Sequence, residues 1–362
     1  MRFGRSIWRM TNNQELMTNI INEKAYCNVA AQALGLDPGG YAGHFADAVL
    51  IETVLPWKRE LYQAAGALPQ EAIDLMALWL QRYRETGVYD HRPLLIAPDP
   101  VYSQPGYRRV IYYERPSGLF ARYTQQEYLI PEEDAGLLLW ALFEAKAILP
   151  QFDAYRVNLD RAPRDILICT HGTIDVACAK FGYPLYRHLR DTYANDHLRV
   201  WRVSHFGGHV FAPTLMDMPT GHYWAYIGDA QAAQLIQRQG DVANLRGHYR
   251  GWAGVPDGFA QVAERELWQR RGWAWFDEAK TGEVLAQDSD PEKPTWADVR
   301  LTHEPAAGPI TTHTLHVEVA QWVETFSTTG HAETYPYAQY AVTAAHCMAH
   351  PAPAPTVGKA EQ

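Results

Sequence analysis

A chain of 362 residues, 47% of them hydrophobic and including 12 Trp and 21 Tyr, exceeds one ordinary core and is expected to form two domains, or one domain with a large extension. The net charge of −9 argues against nucleic acid or an anionic membrane as partner, because neither is attracted over the whole surface, and leaves a basic protein partner compatible. The N-terminal residues lack an apolar core of signal-peptide length, and the most apolar segment, Gly136 to Leu149, is interrupted by Glu144 and Lys146, so no stretch reaches the ~20 residues that span a bilayer and a cytoplasmic setting is expected.

In chain order, periodicity predicts a strand over Asp47–Thr53, a helix over Gln70–Arg84 and a strand over Arg92–Ala97. A β-ribbon of Arg109–Glu114 and Leu119–Tyr123 follows, turned at Pro116-Ser-Gly, and then an amphipathic helix over Glu132–Leu149. The order then repeats: strand Asp165–Cys169, helix Ile174–Arg190, strand Leu198–Ser204, hairpin Val210–Met216 with Tyr223–Ile227, and helix Asp229–Arg238. Strand, helix, strand, hairpin and helix is the thioredoxin-like plan. The expected fold is α/β, with two thioredoxin-like mixed-sheet units, helices on the sheet faces and a small β-rich C-terminal extension.

On this reading residues 25–155 form a degenerate thioredoxin-like domain without ligands, and residues 160–240 a second such domain carrying a metal site. Residues 241–347 form a helix and β-rich extension, with a helix around Gln261–Arg271 and strands over Gly282–Gln287, Ala297–Thr302, His313–Thr325 and Glu333–Val342. Residues 348–362, rich in Pro and Ala, read as a disordered tail.

The chemistry concentrates in the second repeat. Cys169-THGTIDVA-Cys178 is followed by His205-FGG-His209, and two thiolates with two imidazoles are a complete four-ligand set. Such a set suits tetrahedral zinc, or a [2Fe–2S] cluster with thiolates on one iron and imidazoles on the other. A zinc finger spaces its cysteines two to four apart and puts its histidines on a helix face. Here the cysteine gap is eight residues, and Gly207 and Gly208 disfavour helix between the histidines. The histidines are therefore expected on a loop whose glycines allow close backbone approach to a cofactor. Cys27 and Cys347 lie far from this motif and read as structural or incidental.

With that motif in place, the chain resembles the sucrase/ferredoxin-like family. The residues that carry the resemblance are Cys169-Thr-His-Gly172, Asp175, Cys178-Ala-Lys180, Phe181-Gly-Tyr-Pro184 and His205-Phe-Gly-Gly-His209 with Val210-Phe-Ala-Pro213. In the first half, Cys27-Asn-Val and Leu50-Ile-Glu52 through Pro56-Trp57 look like the family's opening segment. The resemblance covers roughly residues 25 to 240. It implies a thioredoxin-like ferredoxin fold and a [2Fe–2S] cluster, with Cys169 and Cys178 on one iron and His205 and His209 on the other. His171, Gly172, Asp175, Lys180, Gly207 and Gly208 are then candidates for the surroundings of the ligands. Asp175 is expected to serve backbone N–H groups of the Cys loop or to pair with Lys180.

The function implied is electron transfer or redox sensing, with an unidentified redox protein as partner. Neutral imidazoles favour the extra electron, and their free nitrogens allow proton-coupled transfer. The chain reads as an electron carrier rather than an enzyme with its own substrate. A glycosidase needs two carboxylates flanking a sugar site, and no such pair stands out. Two other classes stay open: a structural zinc-binding interaction protein, and a thioredoxin-fold thiol oxidoreductase, against which the missing C-x-x-C counts.

Overall fold

The computed structural model describes residues 26–61, 67–159, 162–290 and 293–349. Two sheets organise it. The larger has nine strands in the order β4-β3-β1-β2-β6-β5-β7-β8-β9. These are β1 (Asp47–Glu52), β2 (His91–Ile96), β3 (Tyr107–Glu114), β4 (Thr124–Pro131), β5 (Arg164–Cys169), β6 (Leu198–Val203), β7 (Leu215–Met218), β8 (His222–Trp224) and β9 (Tyr249–Trp252).

The two repeats predicted from the sequence form the two sides of this sheet. In the first, β1 runs parallel to β2 and antiparallel to β3, which pairs with β4. In the second, β5 runs parallel to β6 and antiparallel to β7, which pairs with β8. The sides meet where Ile96 pairs antiparallel with Val203, and the seam is tied by Ser204 N–H to Leu95 O (2.8 Å), Leu95 N–H to Ser204 Oγ (2.9 Å) and Ala97 N–H to Arg202 O (3.0 Å).

Alternation along β1 shows how the strands sort their side chains. Val49 and Ile51 face one layer with Leu75, Met76 and Trp79 of helix α2 (Gln70–Thr86) and Leu138, Leu139 and Leu142 of helix α3 (Ala135–Phe143). Ala48 and Leu50 face the opposite layer, which continues into the second side and contains Ile166, Ile168, Val200 and Trp201. The two repeats therefore share one continuous core.

Three expected elements are placed differently. Leu119–Tyr123 is not the return strand of the first ribbon. Phe120 instead bridges Lys280 through paired backbone hydrogen bonds of 3.1 and 3.0 Å, and β4 begins at Thr124. Val210-Phe-Ala-Pro213 does not open a strand either, because His209–Phe211 is a 3-10 turn, Pro213 has no N–H to give a ladder, and β7 starts at Leu215. The helix expected over Glu132–Leu149 is α-helical only from Ala135 to Phe143, and a 3-10 segment containing Pro150 follows.

The smaller sheet is an antiparallel meander of β10 (Ala279–Gln287), β11 (Trp296–Glu304), β12 (Thr311–Phe326) and β13 (Thr334–Ala349). Met348 lies in β13, and the expected tail from residue 350 onward is outside the described residues. Between the sheets lies a helix, Gly258–Arg271, here called α6 after α1 (Cys27–Ala33), α4 (Val176–Tyr193) and α5 (Asp229–Gln237). Phe259 through Arg265, with Leu267 and Trp268, are buried, as befits a helix covered on both sides.

Candidate metal centre

The candidate site lies where β5 and β6 end. The apolar run of β5 delivers Cys169 as its last residue, 1% exposed. Asp175 then caps α4, its carboxylate accepting from Ala177 N–H at 2.8 Å, and this fixes Cys178 in the first turn, also 1% exposed. The chain leaving β6 supplies His205. Gly207 and Gly208 have φ of 95° and 79°, a left-handed pair that glycine adopts without penalty, and they swing the chain back so that His209 faces the same end of the sheet.

Cys169, Cys178 and His205 converge. His205 Nδ1 lies 3.7 Å from Cys169 Sγ and 3.6 Å from Cys178 Sγ, and the three donor atoms lie within 4.8 Å of one another. In a tetrahedral site with metal–sulfur bonds of about 2.3 Å and metal–nitrogen bonds of about 2.0–2.1 Å, thiolate and imidazole donors stand roughly 3.6 Å apart, so this set fits a metal. Burial raises Cys169, but hydrogen bonds from Cys178 and His205 outweigh it and hold that thiol well below its ordinary value. Cys178 is pushed well above its own, first by the bond to Cys169 and then by burial.

His209 stands beside this set, its ring centre 5.6 Å from that of His205. Its Nδ1 faces a second group, 3.4 Å from Asp175 Oδ2 and 3.5 Å from Cys27 Sγ. Burial holds His209 below its ordinary value and pushes the Cys27 thiol up to about 12. Cys27, Asp175 and His209 also keep their donor atoms within 4.8 Å of one another. Cys27 is therefore part of the site's surroundings, where the sequence reads it as structural or incidental. Its neighbours Asp175 and His209 are 148 and 182 residues away along the chain, so no local spacing announces it. Cys347 is exposed on the smaller sheet.

The other candidate residues divide clearly. His171, 3% exposed, uses Nδ1 to accept from His205 N–H at 3.3 Å and Nε2 to donate to Lys58 O at 3.2 Å. Its ring meets Trp57 edge to face, so it positions the backbone of His205. Gly172 lies in the turn after His171, and its N–H donates to Thr170 O. Asp175 serves backbone N–H groups, Ala177 and Thr329. Lys180 is exposed, and among the described residues no ion pair joins it to Asp175.

The C-terminal hairpin closes the site. Thr329, in the turn between β12 and β13, donates from N–H to Asp175 Oδ2 at 2.9 Å, and its hydroxyl lies 3.3 Å from Cys27 Sγ and accepts from Cys27 N–H at 3.1 Å. Phe326 packs with Cys27, Ala30, Ala177 and Ala212. A role for the extension that the sequence leaves open is thus visible in the structure: its tip covers Cys27 and Asp175.

The model of the family described as sucrase/ferredoxin-like matches residues 39–251, more than half of the chain. The chain belongs to the sucrase/ferredoxin-like family. The match contains all four predicted ligands and ends at β9, so α6 and the smaller sheet lie beyond it. No curated protein and no solved structure matches the chain. Among the described residues no helix is long and apolar enough to cross a membrane.

Proposed function

We propose that this protein carries a [2Fe–2S] cluster on Cys169, Cys178, His205 and His209 and transfers electrons with a protein partner, in a cytoplasmic setting where thiols stay reduced. The observation that carries the reading is the donor set itself. Two buried thiols and one imidazole meet within 4.8 Å, and a second imidazole stands a ring's width beyond, a mixed set that suits a two-iron centre. The strand plan of each sheet half, first strand parallel to the second and antiparallel to the third, supports a thioredoxin-like unit around it.

When bound, the cluster supplies a one-electron couple, with a range of about −150 to +300 mV as the guide for imidazole ligation. The chain supplies the rest. His171 fixes the backbone of His205, Asp175 fixes the Cys178 turn, and Phe326 with Thr329 limits access of water. A thiol oxidoreductase is disfavoured, because a nucleophilic cysteine needs exposure and Cys169 and Cys178 are each 1% exposed.

A structural zinc site is the second reading, favoured by the single-tetrahedron spacing of Cys169, Cys178 and His205. Iron, zinc and acid-labile sulfide analysis of anaerobically purified protein, with its visible spectrum, separates the two. Two irons and two sulfides per chain in a brown protein are expected. One zinc in a colourless protein overturns the cluster.

A further inference from the structure

Two buried guanidinium groups, those of Arg199 and Arg265, come with carboxylates. Arg199 pairs with Asp165 and Glu127 and Arg265 with Asp37, and the half-buried Arg164 and Arg238 share Asp217. Two arginines behind the His205–His209 loop depart from this pattern.

Arg250, on β9, is 3% exposed. Its Nη1 donates to Gly207 O at 3.2 Å and its Nη2 to the Tyr41 carbonyl, while its buried Nε has no partner. Arg92, on β2, is half-buried. Its Nε is also buried without a partner, and its guanidinium lies against the Tyr223 hydroxyl. Among the described residues neither arginine forms an ion pair. Burial, and the nearby charge of Arg92, pull Arg250 down to about 10.

Both arginines line one cavity of about 360 Å³, which also touches His209 and is walled by Tyr41, Phe206, Phe211 and Tyr337. Two glycines make room for the guanidinium groups. A Cβ at Gly43 would stand 2.5 Å from Arg92 Nη2, and one at Gly208 would strike the Arg250 guanidinium. The cavity thus combines two positive charges, no carboxylate among its lining residues and aromatic walls.

Desolvated charge is retained where a counter-charge completes it, and the planar guanidinium fork matches an oxyanion. We propose that this cavity is a binding site for a small organic oxyanion, a carboxylate or phosphate ester, whose charged end is held by Arg92 and Arg250 and whose apolar end packs on the aromatic walls, beside His209. The site does not depend on the metal reading, since none of its charged groups is a predicted ligand.

The test is calorimetric titration and thermal melting of the full chain with phenyl phosphate, benzoate and inorganic phosphate, with benzyl alcohol as the neutral control. Expected are one phenyl phosphate or benzoate bound per chain, a raised Tm with either, and no shift with benzyl alcohol. Whichever of the two binds more tightly identifies the class, and tighter binding of inorganic phosphate than of phenyl phosphate would remove the organic part of the proposal. R92M should weaken binding by about tenfold, the loss of a charge-assisted contact, and R250M should abolish it. Because R250M also loses two hydrogen bonds to backbone and could fold poorly, the half-buried Arg92 carries the decision. Absence of binding at millimolar concentration, or affinity unchanged in R92M, overturns the site. Metal content is measured on each preparation, so that a colourless zinc protein that still binds the anion refutes the cluster and leaves the pocket standing.

Discussion

The two sides of the large sheet have the same strand plan and end it in different chemistry. In the first, Glu52 closes β1 opposite Ile96. In the second, Cys169 closes β5 opposite Val203. The segment after β1 brings no cysteine or histidine. It carries Trp57 and Lys58 across to the other side, where Trp57 meets the His171 ring and the carbonyls of Trp57 and Lys58 accept from Thr173 and His171. One side holds the donor atoms and the other holds the loop that holds them. A shared strand plan thus permits a division of labour in which equivalent strand ends need not share residues.

The most severe way to test that division is to alter equivalent positions. Cys169→Ala or Cys178→Ala removes a thiolate that the proposed centre needs, and metal per chain, read by elemental analysis, should fall to background. Glu52→Gln, at the matching strand end, should leave metal content at the wild-type level. Loss of metal in Glu52→Gln would mean that the first side contributes more than support.

The next effect concerns what joins the sides. Arg199 on β6 donates to Asp165 at 2.7 Å and to Glu127 of β4 at 2.9 Å, Tyr113 of β3 and Trp201 of β6 also donate to Asp165, and Arg109 reaches Glu127. Asp165 and Glu127 are both buried. Arg199→Met should leave two carboxylates without their main counter-charge and cost about 3–5 kcal/mol, the usual penalty for removing one partner of a buried pair. Denaturant melts should show one cooperative transition moved to lower midpoint. Two separate transitions would show that the sides unfold independently.

What the sequence made legible follows the same physics. The Cys loop was readable because an apolar strand ends in its first cysteine and a helix begins near its second. The strand repeat was readable because β1 and β5 each carry an unbroken apolar run, Ala48–Ile51 and Ile166–Cys169, as parallel strands buried on both faces should. Strand β4 escaped, because it opens Thr124-Gln-Gln-Glu and its buried Glu127 is paid for by Arg199, a partner 72 residues away. Cys27, Arg92 and Arg250 escaped for the same reason. Each takes its meaning from neighbours brought in by the tertiary fold, and local periodicity carries no trace of them.

A smaller effect should follow from the hairpin tip. Thr329→Val removes the hydroxyl beside Cys27, leaving Cys27 N–H without its acceptor, at a cost of about 1–3 kcal/mol. Global stability should change by no more than that, while metal release to a chelator at neutral pH should quicken several-fold. An unchanged release rate would mean that the tip covers the site without guarding it.

The smallest effect lies farthest from the donor atoms. On the smaller sheet His303 and His313 stack, with Nε2 atoms 3.2 Å apart, and His303 Nδ1 lies 2.7 Å from Glu278. Burial, then the neighbouring His303, Arg270 and Arg271, lower His313 from 6.5 to about 4. The folded-state value thus lies below the unfolded one. As pH falls from 6.5 towards 4 the unfolded chain takes up a proton that the folded chain refuses, so stability falls with pH across that window. His313 is half-buried, and solvent screening keeps the contribution modest. His313→Gln should make the denaturation midpoint less dependent on pH between 6.5 and 4 and leave it unchanged above 7. If the acid-side slope is the same in His313→Gln and wild type, the histidine pair does not set it.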